Sequence, residues 1–156
     1  MSKLIIDVSY HNGVINWEKV KASGCAGAIL RCGYGDDIAS QDDKQWIRNL
    51  AECERLGIPV GVYLYSYATC DRQAQSELDH IMRLIKGHTF QLPIFIDVEE
   101  PGTQGYAPKA CEILIDHQLQ VAVDGMKSLC CHFTDMLQIG FLTAVYHCSY
   151  GNDRRH

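Results

Sequence analysis

IPVGVYLYSYA, residues 58–68, carries apolar or aromatic side chains at nearly every position, with β-branched residues and tyrosines in place of a helical spacing. Such a run is too short and too uniformly apolar for an amphipathic helix. It reads as a strand buried on both faces, the kind found in parallel sheets covered by helices. Working outward, DDKQWIRNLAECERLG (42–57) sets Trp46, Leu50, Cys53 and Leu56 on one helical face, with Asp42 or Asp43 near its N-terminus. CDRQAQSELDHIMRLIKG (70–87) predicts a further helix. Beyond these lie three more apolar runs, KLIIDV (3–8), AGAILRCGYG (26–35) and PIFIDVEE (93–100), each read as a strand. INWEKVKASG (15–24) predicts a short helix with Asn16 as N-cap and Gly24 as its stop. Strand and helix thus alternate at roughly 30 residues per unit, the rhythm of βαβ crossovers, and an α/β fold with a parallel sheet follows.

The chain has 156 residues, 47% hydrophobic and 21% charged, which suits one core. A net charge of -5 with 14 Lys+Arg and no basic stripe excludes a nucleic-acid groove. No apolar run approaches the ~18 residues a membrane span requires. MSKLIIDVSY lacks the apolar core and cleavage site of a signal peptide, so the sequence predicts synthesis in the cytoplasm and export, if any, by another route. Eight cysteines at irregular spacing, with no CxxC and one adjacent pair, Cys130 and Cys131, read as reduced, buried small hydrophobes.

In parallel α/β folds functional groups collect at the carboxyl ends of the strands. Asp7, Arg31, Tyr65 and the pair Asp97 and Glu99 all fall at such ends. Side chains two apart on a strand share a face, so Asp97 and Glu99 are expected to look one way, while Glu100 turns with Val98 and is solvated. An isolated Asp-x-Glu is better explained by an acidic, solvated strand end. Asp7 at the end of another apolar strand changes that reading, because clustered buried carboxylates are costly and mark sites. The cluster suits acid–base work across a glycosidic bond, or alternatively a hard cation such as Mg²⁺. The absence of a Gly-rich phosphate loop favours the first. Tyr34, Tyr63, Tyr65, Tyr67 and Tyr106 gather near predicted strand ends, and a phenol ring with a hydroxyl suits a sugar, although each is individually explained by packing. Ser9, Ser66 and His11 form no nucleophile pattern, and GYG at 33–35 lacks nucleotide-loop spacing.

Together IIDVSYHNGVINWEKVKASG, AILRCGYG, the segment Asp43-x-x-Trp46-x-x-Asn49, GIPVGVYLYSYA and PIFIDVEE resemble, in order and spacing, the N-terminal part of a glycoside hydrolase family 25 lysozyme, over about residues 3–105. The resemblance implies a TIM-barrel-like (β/α) fold and a muramidase of bacterial or phage type. Such enzymes cleave the β-1,4 bond between N-acetylmuramic acid and N-acetylglucosamine in bacterial peptidoglycan, at the wall outside the cell, with no cofactor and no metal. Carried over by residue, it implies Glu99 as general acid, Asp97 as its assisting carboxylate, Asp7 as a further acidic site residue, and Tyr65 lining the sugar cleft. Tyr34, Tyr67 and Arg31 are taken as substrate-binding residues beside it.

Residues 1–110 are read as the lysozyme-like βα units. Residues 111–156 show no GVYA-type strand and no Trp-rich closing segment, so the barrel is expected to be incomplete or atypical after residue 110. The expectation is a truncated or frame-shifted product, or a diverged tail covering the open sheet in another way. LIDHQLQVAVDGMKSLCCHF (114–133) reads as one or two helices. Beside the active muramidase stand a glycan-binding remnant without catalysis and a metal-dependent hydrolase using the same carboxylates.

Overall fold

The computed structural model describes residues 4–103, 106, 121–124 and 145–146. Strands β1 (Ile5–Val8), β2 (Gly27–Tyr34), β3 (Val60–Tyr65) and β4 (Ile94–Asp97) alternate with helices α1 (Trp17–Ala22), α2 (Trp46–Leu56) and α3 (Asp71–Ile85), and β5 (Val121–Asp124) and β6 (Val145–Tyr146) follow. The sheet runs β5-β4-β3-β2-β1-β6, and every pairing is parallel. Strands β1 to β5 are neighbours in turn, and β6, the last strand among the described residues, lies beside β1. Five parallel strands laid side by side in chain order, with a later strand returning beside the first, match the order of a (β/α) barrel.

The helices begin and end where local chemistry dictates. Asn16 Oδ1 accepts from Lys19 N (2.9 Å) to cap α1, and Gly57, in the left-handed region at φ 62°, closes α2. Asp42 and Asp43 do not sit in the first turn of α2, which starts later, at Trp46. Both carboxylates are drawn into tertiary contacts instead.

Period-two alternation divides the sheet into two unlike faces. Val8, Ala28, Leu30, Cys32, Val60, Val62, Leu64, Ile94 and Ile96 turn toward the helices and pack with Trp17, Trp46, Leu50, Cys53, Leu78 and Ile81. Within this layer the Trp17 indole N–H donates to Asn49 Oδ1 (3.0 Å), so that buried ring keeps its polar atom satisfied. On the opposite face Ile5, Ile29 and Leu92 form a smaller cluster with Tyr63 and Phe95. Cys25, Cys32 and Cys53 are buried free thiols as expected, but Cys70 is exposed at the head of α3. Cys130 and Cys131 lie outside the described residues.

The sequence placed 114–133 in helices, yet Val121–Asp124 is a strand, pairing with β4 in the register Ile94 to Val121 and Asp97 to Asp124. Local spacing favoured a helix; the open edge of β4, whose backbone groups need partners, decides for the strand. The remainder of 114–133 lies outside the described residues. Among the described residues no helix is long and apolar enough to cross a membrane.

Gly33, at a register shift in the β2–β3 pairing, shows how tightly α3 is seated. A Cβ there would lie 2.7 Å from His80 Cε1 and 2.9 Å from Gln41 O. Gly33→Ala must push back a buried ring and a backbone carbonyl together, so a loss of about 1–3 kcal/mol is expected in urea unfolding.

Candidate active site at the carboxyl ends of the strands

The face carrying Ile5, Ile29 and Phe95 changes character toward the carboxyl ends of the strands. One step further along the same alternation stand Asp7 on β1, Arg31 on β2, Tyr63 and Tyr65 on β3 and Asp97 on β4. The registers bring them abreast: Arg31 pairs with Tyr63, and Tyr65 with Asp97. The sheet itself therefore assembles side chains separated by up to ninety residues of chain.

Tyr63 sits at the centre of this group. Its phenol hydrogen-bonds Asp7, and burial, followed by the charges of Asp7 and Asp97 and against the pull of Arg31, drives its pKa well above the usual tyrosine range. Tyr63 therefore stays a neutral phenol beside two acidic residues. Sequence reasoning counted it among the five strand-end tyrosines that suit a sugar and are individually explained by packing. The parity that aligns it with Tyr65 was visible, but the cross-strand partner was not.

Arg31 is held from two sides. Its Nε donates to Asp43 Oδ2 (2.9 Å), and its guanidinium lies 4.9 Å from the centre of the Tyr10 ring. Asp43, 5% exposed, also accepts from Tyr10 N (2.9 Å) and Gln45 N (2.8 Å). A buried carboxylate is tolerated when its oxygens are filled in this way. Nothing in the strand pattern marked Asp43 as the residue that seats Arg31.

Around the mouth runs an aromatic and acidic wall. Tyr65 and Tyr67 meet edge to face at 5.3 Å, and Tyr34 meets Tyr67 at 6.2 Å. The Tyr65 hydroxyl donates to Glu100 Oε2 (3.2 Å). Burial, then this hydrogen bond, raises the Tyr65 pKa above its ordinary value. Tyr67 is 42% exposed and offers its ring to solvent.

The acidic pair divides differently from the two-residue rule. β4 ends at Asp97, which is buried, whereas Glu99 is exposed and lies beyond the strand. Val98 is buried in the helix-facing core, but Glu100 does not follow it. It is half-buried at the rim with Tyr65, because alternation ends where the ladder ends. Thr103 Oγ1 donates to Glu100 O (2.8 Å), and the Tyr106 hydroxyl hydrogen-bonds Asp71, tying the segment after β4 to the head of α3. His11, in a 3-10 turn at Tyr10–Asn12, stacks against Tyr10 at 4.0 Å. Among the described residues no group of three or more His, Cys, Asp or Glu is placed to hold a metal ion.

Behind the wall, Arg83 on α3 grips Asp42 with two hydrogen bonds (2.6 and 3.1 Å) and Asp37 with a third (2.7 Å). His80 places Nε2 2.8 Å from Asp42 Oδ1 and Nδ1 3.1 Å from Gly35 O.

A parallel sheet whose strands follow chain order, with carboxylates and tyrosines toward their carboxyl ends, defines a (β/α)-barrel type of framework. The chain belongs to glycosyl hydrolases family 25, whose model matches residues 6–148. The match runs past residue 110 and takes in β5 and β6, so much of the segment that its motifs left outside the family lies within it. Among solved structures, the modular autolysin LytC from Streptococcus pneumoniae is 33% identical with a TM-score of 0.67, covering 78% of this chain and 32% of that one. The same autolysin has been solved with a synthetic peptidoglycan ligand, at 33% identity, TM-score 0.66 and the same coverage. A family 25 glycosyl hydrolase from Bacillus anthracis shares the fold at 18% identity and a TM-score of 0.63, over 78% of this chain and 60% of that one. This chain thus spans about a third of the autolysin and under two thirds of the Bacillus enzyme. No curated protein sequence matches it.

The Asp42 clamp has a pH signature. Burial opposes ionisation of Asp42, but the hydrogen bonds from Arg83 and His80 outweigh it and lower its pKa in the fold. A depressed folded pKa adds stability above the unfolded value, lost as pH falls through the folded one. Urea midpoints measured from pH 7 down to pH 3 are expected to fall more steeply for the wild type than for Asp42→Asn. At pH 7 the variant is expected to be less stable by about 1 kcal/mol.

Proposed function

We propose that this chain is a peptidoglycan hydrolase of the muramidase type, cleaving the β-1,4 bond between N-acetylmuramic acid and N-acetylglucosamine. The observation that carries the reading is the convergence of Asp7, Tyr63 and Asp97 on one sheet face, beneath a tyrosine wall and beside the exposed Glu99. Family membership and the peptidoglycan complex of the related autolysin support it.

In this reading the glycan lies across the strand ends, its apolar ring faces against Tyr65, Tyr67 and Tyr34. Glu99 gives its proton to the glycosidic oxygen as the bond from C1 breaks, and the leaving sugar departs with a free hydroxyl. Asp97, fixed on the rigid strand, faces the positive charge growing at C1 or orients the N-acetyl group. Asp7, hydrogen-bonded by the neutral Tyr63 phenol, adds negative potential at the floor of the site. Arg31, locked to Asp43, holds the floor in place and faces the substrate's polar groups. A water molecule supplies the hydroxyl that ends on C1, and its other proton returns Glu99 to its acid form. No cofactor enters these steps, and the place of action is the bacterial cell wall, outside the cell.

Turbidity loss of a bacterial wall suspension, with reducing ends counted in parallel, tests this. Glu99→Gln should lower the rate by about 10²-fold or more, the scale of a lost general acid. Equal activity in both proteins would remove Glu99 from its role. Wall binding without released reducing ends in the wild type would replace catalysis by glycan binding, and activity abolished by chelation and restored by Mg²⁺ would point to a metal-dependent hydrolase.

A further inference from the structure

Glu77 is a carboxylate on α3 that the hydrolytic steps do not use, and it is 2% exposed. Its Oε2 accepts from Ser66 Oγ (2.7 Å) and its Oε1 from Tyr67 N (2.7 Å). Ser66 Oγ in turn accepts from Ala68 N (3.2 Å), and Ser66 N donates to Asp97 O (2.8 Å). One buried side chain therefore grips the three residues that follow β3, and reaches the backbone of Asp97 in two steps.

That placement is not explained by packing alone. An apolar residue of similar volume would fill the space between α3 and β3 without the penalty of burying a charge, a penalty visible in the Glu77 pKa, which burial raises above the usual carboxylate value. What an apolar residue could not do is fix the path of Ser66 and Tyr67. The ladder ends with the bond from Ser66 N to Asp97 O, so beyond it the Tyr67 N–H turns to Glu77 instead of to a neighbouring strand. Tyr65 and Tyr67 flank the gripped residue on either side, and their rings meet edge to face at 5.3 Å.

We infer that Glu77 is a positioning residue for glycan binding: it sets the Tyr65 and Tyr67 wall against the site floor from behind, without touching the substrate. The inference rests on the hydrolase reading and deepens it. Because the wall binds sugar in ground and transition states alike, loosening it is felt in affinity more than in turnover.

The test uses Glu77→Gln, which keeps the side-chain shape, and Ser66→Ala, which removes one hydrogen bond and serves if the first variant fails to fold. Affinity for soluble glycan strands, released from bacterial walls by sonication, is measured calorimetrically in a Glu99→Gln background so that no turnover intrudes. The expected result is a weakening of about tenfold for Glu77→Gln and less for Ser66→Ala, with kcat on the same strands within about threefold of wild type. Unchanged affinity in a folded variant would overturn the inference. So would a fall in kcat and thermal stability with affinity intact, the mark of general support. If walls are lysed by neither wild type nor Glu99→Gln while Glu77→Gln still weakens glycan binding, the hydrolase reading falls and the positioning role stands. A wild type that lyses walls with unaltered affinity in Glu77→Gln gives the reverse. A chain that binds no glycan overturns both.

Discussion

Asp43 is the point on which the carboxyl end of the sheet hangs. Its nearly inaccessible carboxylate takes the Arg31 Nε from β2, the Tyr10 N–H from the turn after β1 and the Gln45 N–H just before α2, while its own N–H donates to Cys32 O (2.8 Å). Removing any donor would leave charge unmet in a low-dielectric setting, so the group holds its partners as firmly as they hold it. Adjacent Asp42 turns the other way, to Arg83 and His80 on α3. Two neighbouring aspartates thus pin one loop between the sheet interior and the outer helix layer.

With that loop fixed, the two faces of the sheet take separate tasks. The helix-facing side buries Trp17, Trp46 and a continuous set of branched residues, and supplies most of the apolar burial that stabilises the fold. The other side is apolar only at one end, around Ile5, Ile29 and Leu92, and gives way to Asp7, Tyr63 and Asp97 at the other. Grouping acidic residues is unfavourable for folding, and the core opposite offsets it. The consequence is a site whose floor is rigid strand and whose wall, from Ser66 to Tyr67, is held by a side chain.

Much of the framework was legible beforehand because it follows from local rules. Four apolar runs separated by amphipathic segments give the alternation of β1 to β4 with α1 to α3, and the observed boundaries fall inside the ranges read from the residues. Asn16 capped its helix as its side-chain chemistry demands. Asp7, Tyr65 and Asp97 were placed at strand ends by counting alone, whereas Arg31, expected at an end too, lies inside β2, which runs on to Tyr34. Where local rules stopped, so did the reading: Glu100 was assigned to solvent by extending strand parity past the end of the strand, and Val121–Asp124 was taken as helix because its demand for an edge partner lies elsewhere in the chain.

The amino-acid sequence by itself determined the period of each segment, and with it the parallel α/β framework and the strand ends where chemistry-bearing residues collect. Periodicity is a property of neighbours along the chain, so it needs no knowledge of the fold. Only the tertiary structure decided which polar groups meet: Tyr63 with Asp7, Arg31 with Asp43, Glu100 with Tyr65, and Glu77 with Ser66 and Tyr67. Those partners stand between 10 and 56 residues apart in sequence, and a buried charge accepts whichever donor the packed backbone brings within 3 Å or so of it.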